Sequence, residues 1–292
     1  MYHNIINSPT QKRVFEGYQF YIKRDDLLHS NFSGNKARKF YYFLENEFPD
    51  IKKIVSYGSS QSNAMYSLSV LTKMRGWSFE YHIQHLSNYL KENPNGNLKY
   101  ALANGMKLIV DEKIPKKNEI ETKETLFVEE GGRDSFSEYG IKVLADEILE
   151  WKKENSIKEI DIFLPSGTGT TALYLQKHIT DTVYTVSCVG DSDYLKKQFS
   201  MLEKNDIYHP TILEPSKKRH FGKLYRESYD IWLKLRKDIK IEFDLLYDPN
   251  GWLTMLEHLK NFKKPILYIH QGGLIGNESM LSRYKRKYNE NN

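Results

Sequence analysis

Hydrophobic and polar positions along this chain switch between a spacing of two and a spacing of three to four, which predicts strands alternating with helices. Tyr18 to Lys23 alternate like a strand, and residues 35 to 47 then carry Phe40, Tyr41 and Leu44 at helical spacing. A short apolar strand, Ile54-Val55-Ser56, runs into the small-residue loop Gly58-Ser59-Ser60-Gln61-Ser62-Asn63. The next segment sets Met65, Leu68, Ser69 and Thr72 on one helical face and stops near Gly76. Strands are expected at 79 to 84, 106 to 110 and 125 to 128, and helices at 87 to 104 and 138 to 154. In the last of these, Ile141, Leu144, Ala145 and Ile148 form the stripe of a core-facing helix. Strand Ile160 to Leu164 enters the loop Pro165-Ser166-Gly167-Thr168-Gly169-Thr170-Thr171, and a helix follows. Strand Val183 to Val189 carries Cys188, read as a small buried hydrophobe. Helices around 223 to 236 and 251 to 261 precede a strand Pro265 to Ile269, which ends in His270-Gln271-Gly272-Gly273.

This alternation implies an α/β fold with parallel-rich sheets flanked by helices. In such sheets ligands bind beyond the carboxyl ends of the strands, and each small-residue loop above falls at a place of that kind. The 292 residues amount to roughly two domains. No linker, repeat or low-complexity tract separates them, so the two would have to be interleaved.

Composition narrows the class without naming a function. With 39% hydrophobic and 28% charged residues the chain is neither disordered nor fibrous. It has no apolar run near the length of a membrane span. The start, MYHNIINSPTQKR, lacks the apolar core of a secretory leader, so a soluble cytoplasmic protein is expected. A single cysteine, Cys188, excludes an internal disulfide framework and a multi-cysteine metal site. No His/Asp/Glu group has metal spacing, and His82 and His85 read as surface. The net charge of +5 is small for this length. The clusters Lys217-Lys218-Arg219-His220 and 283 to 287 read as solvated surface. Tyr and Phe are spread through apolar-periodic segments, not gathered on a basic strand, which argues against a nucleic-acid-binding module.

Taken singly, the loops are ambiguous. The 166 to 171 loop could cradle a phosphate on backbone N–H groups, with Thr168, Thr170 and Thr171 adding hydroxyls, or it could be a threonine-capped turn. It is not a Walker loop and lacks the third glycine of the dinucleotide fingerprint, which weakens a nucleotide-binding reading. Ser33-Gly34-Asn35-Lys36-Ala37-Arg38-Lys39 could be a solvated basic face. Alternatively, its Gly-Asn corner could aim the Lys36 amine into a cleft, where desolvation would make it reactive. Gln61-Ser62-Asn63 makes a good helix N-cap. Asp244-Leu245-Leu246-Tyr247-Asp248 could be a strand end before a turn at Pro249-Asn250-Gly251.

Taken in order, these motifs resemble the fold type II pyridoxal-phosphate enzymes, and within them the 1-aminocyclopropane-1-carboxylate deaminase / D-cysteine desulfhydrase family. The residues that carry the resemblance are Lys23-Arg24-Asp25-Asp26, Gly34 to Lys39, Gln61-Ser62-Asn63, Glu130-Gly131-Gly132, Ser166 to Thr170, Asp244 to Tyr247 and His270 to Gly273, from about residue 20 to 275. The resemblance implies a smaller domain, residues 50–151, inserted in a large pyridoxal-phosphate-binding domain made of 1–49 and 152–292. It further implies a homodimer acting on a small amino acid, without nucleic acid or membrane.

Carried over, Lys36 would hold pyridoxal 5'-phosphate and later move the proton at the substrate Cα. Lys39 and the backbone of Gly167, Thr168, Gly169 and Thr170 would bind the phosphate, and Asn63 the phenolic oxygen of the ring. Ser62 would meet the substrate carboxylate or reacting carbon, and Tyr247 would lie against the cofactor. Asp248 stands where deaminases of this family carry a glutamate facing the pyridine nitrogen. Gln271, also placed with the cofactor, stands where relatives have threonine or leucine. Two further departures are Asp-Leu-Leu-Tyr in place of Asp-Pro-Val-Tyr, and Phe221-Gly222 where a second tyrosine commonly precedes a glycine. An alternative register through Asp248-Pro249 would put Gly251 at the tyrosine position; the first register keeps Tyr247. The activity implied is deamination with release of ammonia and a 2-oxo acid, either by D-cysteine-type β-elimination or by cyclopropane ring opening. A nucleotide-binding enzyme without pyridoxal phosphate and a catalytically degenerate family member are the alternatives.

Overall fold

Runs of branched and aromatic residues build ten strands in the computed structural model, which describes residues 7–288. Residues 1–6, the start of the segment read as lacking a leader's apolar core, and residues 289–292 lie outside them. In chain order the strands are β1 (Thr10–Phe15), β2 (Tyr18–Arg24), β3 (Lys53–Tyr57), β4 (Ser78–Ile83), β5 (Lys107–Val110), β6 (Thr125–Val128), β7 (Asp161–Ser166), β8 (Val183–Ser187), β9 (Thr211–Ile212) and β10 (Ile266–His270). One sheet has the order β1-β2-β10-β7-β8-β9 and the other β5-β4-β3-β6. All pairings are parallel except β1 with β2, which form a hairpin around Glu16–Gly17. Every residue of β7 and β10 is buried, which fits central parallel strands covered on both faces.

The helices differ from the sequence reading at identifiable residues. The helix expected at 87 to 104 is two, Asn88–Glu92 and Gly96–Ala103. Pro94 separates them by forcing the preceding Asn93 out of the helical region, at φ -128° and ψ 68°. The turn expected at Pro249-Asn250-Gly251 is instead the first turn of helix Asp248–Glu257, where a proline needs no N–H partner. Three helices had no counterpart in the hydrophobic pattern, Lys117–Ile120, Ser192–Leu202 and Gly276–Tyr288.

Packing crosses the expected boundaries at residues 50 and 151 in both directions. Phe40, Phe43 and Leu44 belong to the core of the four-stranded sheet, with Ile54, Leu68 and Phe79. Helix Ser137–Glu154 instead packs Ile141, Leu144, Ala145 and Ile148 against Ile160, Ile162 and Leu164 beneath the six-stranded sheet. A buried charge cluster locks this crossing. Arg38 pairs with Asp25 at 2.8 Å and with Glu147 at 2.5 Å, and Glu147 also pairs with Lys23 at 2.6 Å. The Ser8 hydroxyl donates to Asp25 at 2.6 Å. Burial alone would raise the Glu147 carboxyl, but Arg38 and Lys23 hold it at about 2. The Gly34 to Lys39 segment is therefore no solvated basic face: Arg38 and Lys39 are both buried.

Candidate active site

Loops at the carboxyl ends of strands from both sheets enclose a cavity of about 780 Å³. Every residue singled out as a site residue from the sequence lines it: Lys36 and Lys39, Ser62 and Asn63, Gly167 to Thr170, Tyr247 and Asp248, and Gln271. These come from segments more than two hundred residues apart, brought together by the parallel topology that gathers strand ends on one side.

The lysine wall is held from below by a splice of backbone and amide groups. Gly34 opens helix Gly34–Phe40 at φ +69°, and a Cβ there would lie 2.0 Å from the Gln271 carbonyl oxygen, so no side chain fits. The Asn35 N–H donates to that carbonyl at 3.0 Å. The Asn35 amide donates to Gln271 Oε1 at 2.9 Å, and Gln271 Nε2 donates to the Pro165 carbonyl at 2.6 Å. Gln271 thus ties the lysine helix to the ends of β7 and β10 at once. Burial lowers the Lys36 amine to about 8, against the opposing pull of Asp244 and Glu130. Burial also pushes Lys39 well below the ordinary range, with Lys36 and Arg133 adding to the effect, and its Nζ donates to the Gly131 carbonyl at 2.9 Å.

Opposite stands the start of helix Thr170–His178, with Gly169 in the left-handed region at φ +71° and no side chain capping the helix. A Cβ on Gly169 would meet Phe199 at 2.3 Å, so the loop backbone runs against the protein on one side and faces the cavity on the other. Thr168 and Thr170 share a hydroxyl contact at 3.0 Å. Thr171 Oγ1 is buried and has no hydrogen-bond partner, as it would if an absent anion completed it.

The third wall joins Ser62 and Asn63 to the 244–248 turn. Ser62 caps helix Asn63–Arg75, accepting from Ala64 at 3.2 Å and Met65 at 3.4 Å, and also reaches the Tyr81 hydroxyl. Asn63 accepts from Asn97 at 2.7 Å and donates to Asp244. The Asp244 carboxylate accepts the N–H groups of Leu246 at 2.8 Å and Tyr247 at 2.5 Å, a turn that selects the register with Tyr247 at the site. Burial raises the Asp244 carboxyl to about 6, while those N–H groups work the other way. The Tyr247 ring packs against Gly167 and lies 5.1 Å from the ring of Phe221. Burial, then the charge of Asp244, raises its phenol far above the ordinary range.

Asp248 is placed differently from a residue facing only a bound ring. One oxygen accepts the Tyr268 hydroxyl at 2.5 Å, and the other accepts the Asp244 N–H at 2.9 Å. Burial and the neighbouring Asp244 push its carboxyl well up, toward the protonated form. His270 is likewise committed to structure, with Nε2 2.7 Å from the Glu242 carbonyl.

Several cavity residues carried no sequence signal of their own. Thr171 was legible only as a third threonine, and Glu130 only as part of a glycine motif. The partners owe their places to packing, Asn97 through helix Gly96–Ala103 against helix Asn63–Arg75 and Tyr81 through β4. Among the described residues no helix is long and apolar enough to cross a membrane, and no His/Cys/Asp/Glu group could hold a metal ion.

No family model matches the chain. It is 28% identical over 299 residues, covering 91% of this chain and 92% of the relative, to the Thermotoga maritima protein named "Putative 1-aminocyclopropane-1-carboxylate deaminase". It is 21% identical over 336 residues, 92% of this chain and 81% of the relative, to "Putative D-cysteine desulfhydrase 2, mitochondrial" of Oryza sativa subsp. japonica. Both names in the resemblance thus recur among the relatives. Among solved structures, an ACC deaminase homologue superimposes with a TM-score of 0.77 at 19% identity, covering 97% of this chain and 94% of that one. A hydrogen sulfide-producing enzyme from Fusobacterium nucleatum does so at 0.63 and 14%, covering 94% and 98%. A T.th. threonine deaminase does so at 0.62 and 13%, covering 91% and 92%. The chain has the two-sheet α/β fold of these enzymes.

Proposed function

We propose that this chain is a pyridoxal-phosphate-dependent lyase that deaminates a small amino acid, releasing ammonia and a 2-oxo acid. The observation that carries the reading is the half-buried Lys36 amine, lowered to about 8, in one cavity with an uncapped glycine- and threonine-rich helix start. The residues fit the cofactor: the unpartnered Thr171 hydroxyl and the open helix start suit its phosphate, and that amine suits its aldehyde carbon. When bound, pyridoxal phosphate withdraws the electron pair left at the substrate Cα.

The protein's own groups do the rest. The Gly167 to Thr170 backbone, the threonine hydroxyls and Lys39 take the phosphate. Lys36 holds the cofactor and, once released, moves the proton at the substrate Cα, for which a pKa near neutrality is suited. Asn63 retains an amide hydrogen for the ring hydroxyl, and the capping Ser62 hydroxyl, shared with Tyr81, meets the substrate carboxylate. Tyr247 walls the ring from solvent. In the overall change the Cα proton leaves, the β-substituent departs with its electron pair, and one water is consumed as ammonia is released. D-cysteine-type β-elimination is favoured over ring opening. Phe221 supplies no second hydroxyl beside Tyr247, and both Asp248 oxygens are engaged within the protein.

The test is a visible spectrum of the purified protein with added pyridoxal phosphate, then borohydride reduction and peptide mapping. A chromophore trapped on Lys36 is expected. A colourless protein, or label on another lysine, would overturn the assignment. Pyruvate from D-cysteine against 2-oxobutyrate from the cyclopropane acid then separates the two chemistries.

A further inference from the structure

The cavity has a mouth whose charge differs from that of its floor. Helix Gly276–Tyr288 brings Ser279, Ser282, Arg283 and Arg286 to it, a spacing that puts all four on one helical face. The run 283 to 287, read from sequence as surface, therefore turns two of its cations toward the site. Arg283 donates to the Gly222 carbonyl at 2.8 Å and touches the Met280 sulfur at 3.1 Å, while Arg286 is exposed. Among the described residues neither guanidinium meets a carboxylate, whereas Arg24 and Arg219 meet Asp26 and Glu227 at 2.7 Å and 3.0 Å.

The anionic residues that line the cavity are all at the other end. Glu130 and Asp244 act on Lys36, and Asp248 is bonded to Tyr268. The floor is thus mixed in charge and the mouth is cationic only. A substrate of alanine size, bound by its amine and α-carboxylate at the floor, would leave the mouth empty. Guanidinium groups are suited to a carboxylate or phosphate, which they meet with paired hydrogen bonds.

Resting on the lyase reading above, we infer that the amino-acid substrate carries a second, anionic group at the end of its β-substituent, received by Arg283 and Arg286. The leaving group is then itself an anion-bearing fragment, drawn to the mouth by the charge that recognises it.

The experiment uses the holoenzyme and serine esters of both configurations that differ only at the far end: O-acetylserine, neutral there, and O-succinylserine, carboxylate-terminated. O-phosphoserine is the phosphate arm. The expected result is a kcat/KM for an anion-bearing substrate about tenfold or more above that for O-acetylserine, carried by KM. That preference shrinks toward unity in Arg286→Gln, and rising salt weakens it. Calorimetric binding of glutamate against glutamine, which have no β leaving group, gives a readout independent of turnover, with glutamate favoured. Equal handling of charged and neutral esters by a holoenzyme loaded on Lys36, or a preference untouched by Arg286→Gln, overturns this inference alone. A protein that takes up no pyridoxal phosphate overturns the lyase reading beneath it.

Discussion

Replacing Lys36 by methionine is expected to stabilise the cofactor-free protein, although it removes the residue on which the proposed chemistry depends. An amine with an ordinary value of 10.5 is held at about 8 in the folded chain. The folded state therefore binds the proton less well than the unfolded chain, and the cost of keeping the charge is full below the folded value. At about 1.4 kcal/mol for each pH unit between the two values, the charged amine costs roughly 3 kcal/mol at pH 7. The cost falls as pH rises through the folded value, to about 2 kcal/mol at pH 9 and under about 1 kcal/mol at pH 10. Methionine matches the stem in size and carries no charge, so Lys36→Met should gain about that much at each pH. Urea unfolding of both cofactor-free proteins at pH 7, 9 and 10 measures it, with midpoints compared at equal slopes. A variant no more stable than the parent at pH 7, or a gain that does not shrink toward pH 10, would refute the reasoning. The charges of Asp244 and Glu130, or water in the cavity, would then outweigh the desolvation of Lys36.

Gly169→Ala should cost about 2–3 kcal/mol, because the residue sits at φ +71° and its new methyl would lie 2.3 Å from Phe199; chemical denaturation reads this directly. Pyridoxal phosphate affinity, measured by titration of absorbance, should fall with it, since the loop must shift. Glu147 is held at about 2 by Arg38 and Lys23 despite its burial, so its contribution is present above the unfolded carboxyl value and is lost as pH falls from about 4.5 toward 2. Glu147→Gln should destabilise at neutral pH and flatten that acid limb; an unchanged limb would place the acid sensitivity elsewhere.

What was legible in the sequence follows from how each element is buried. β3, β7 and β10 are covered on both faces, so their apolar runs stand out, and the loops they feed could be read in register. β1 is an edge strand that is mostly polar and exposes its one valine, Val14, so it left no comparable run. Helix Ser192–Leu202 sets only Leu195, Phe199 and half-buried Leu202 at helical spacing, a narrow stripe among charged and polar neighbours. The lining of the cavity was legible where a motif stands at the end of a strand or start of a helix, as with Lys36 and Tyr247. It was not legible where a side chain serves two neighbours. The engagement of Gln271 by Asn35 and Pro165, and of Asp248 by Tyr268, depends on strand ends meeting in space. The inward turn of Arg283 and Arg286 depends on which way a basic helix is rolled, and only packing through Met280 and Tyr284 decides that.

The helix that carries Lys36 is anchored on three sides: by Gln271 at its start, by the Asp25 and Glu147 carboxylates on Arg38, and by Phe40 in the core of the four-stranded sheet. Tied to both sheets, this helix would serve as a fulcrum if one sheet rotated against the other. Displacement about a fulcrum grows with distance from it, so a small rotation that swings Arg286 at the mouth would move the lysine least. Such a rotation would change the width of the mouth while the amine kept its alignment.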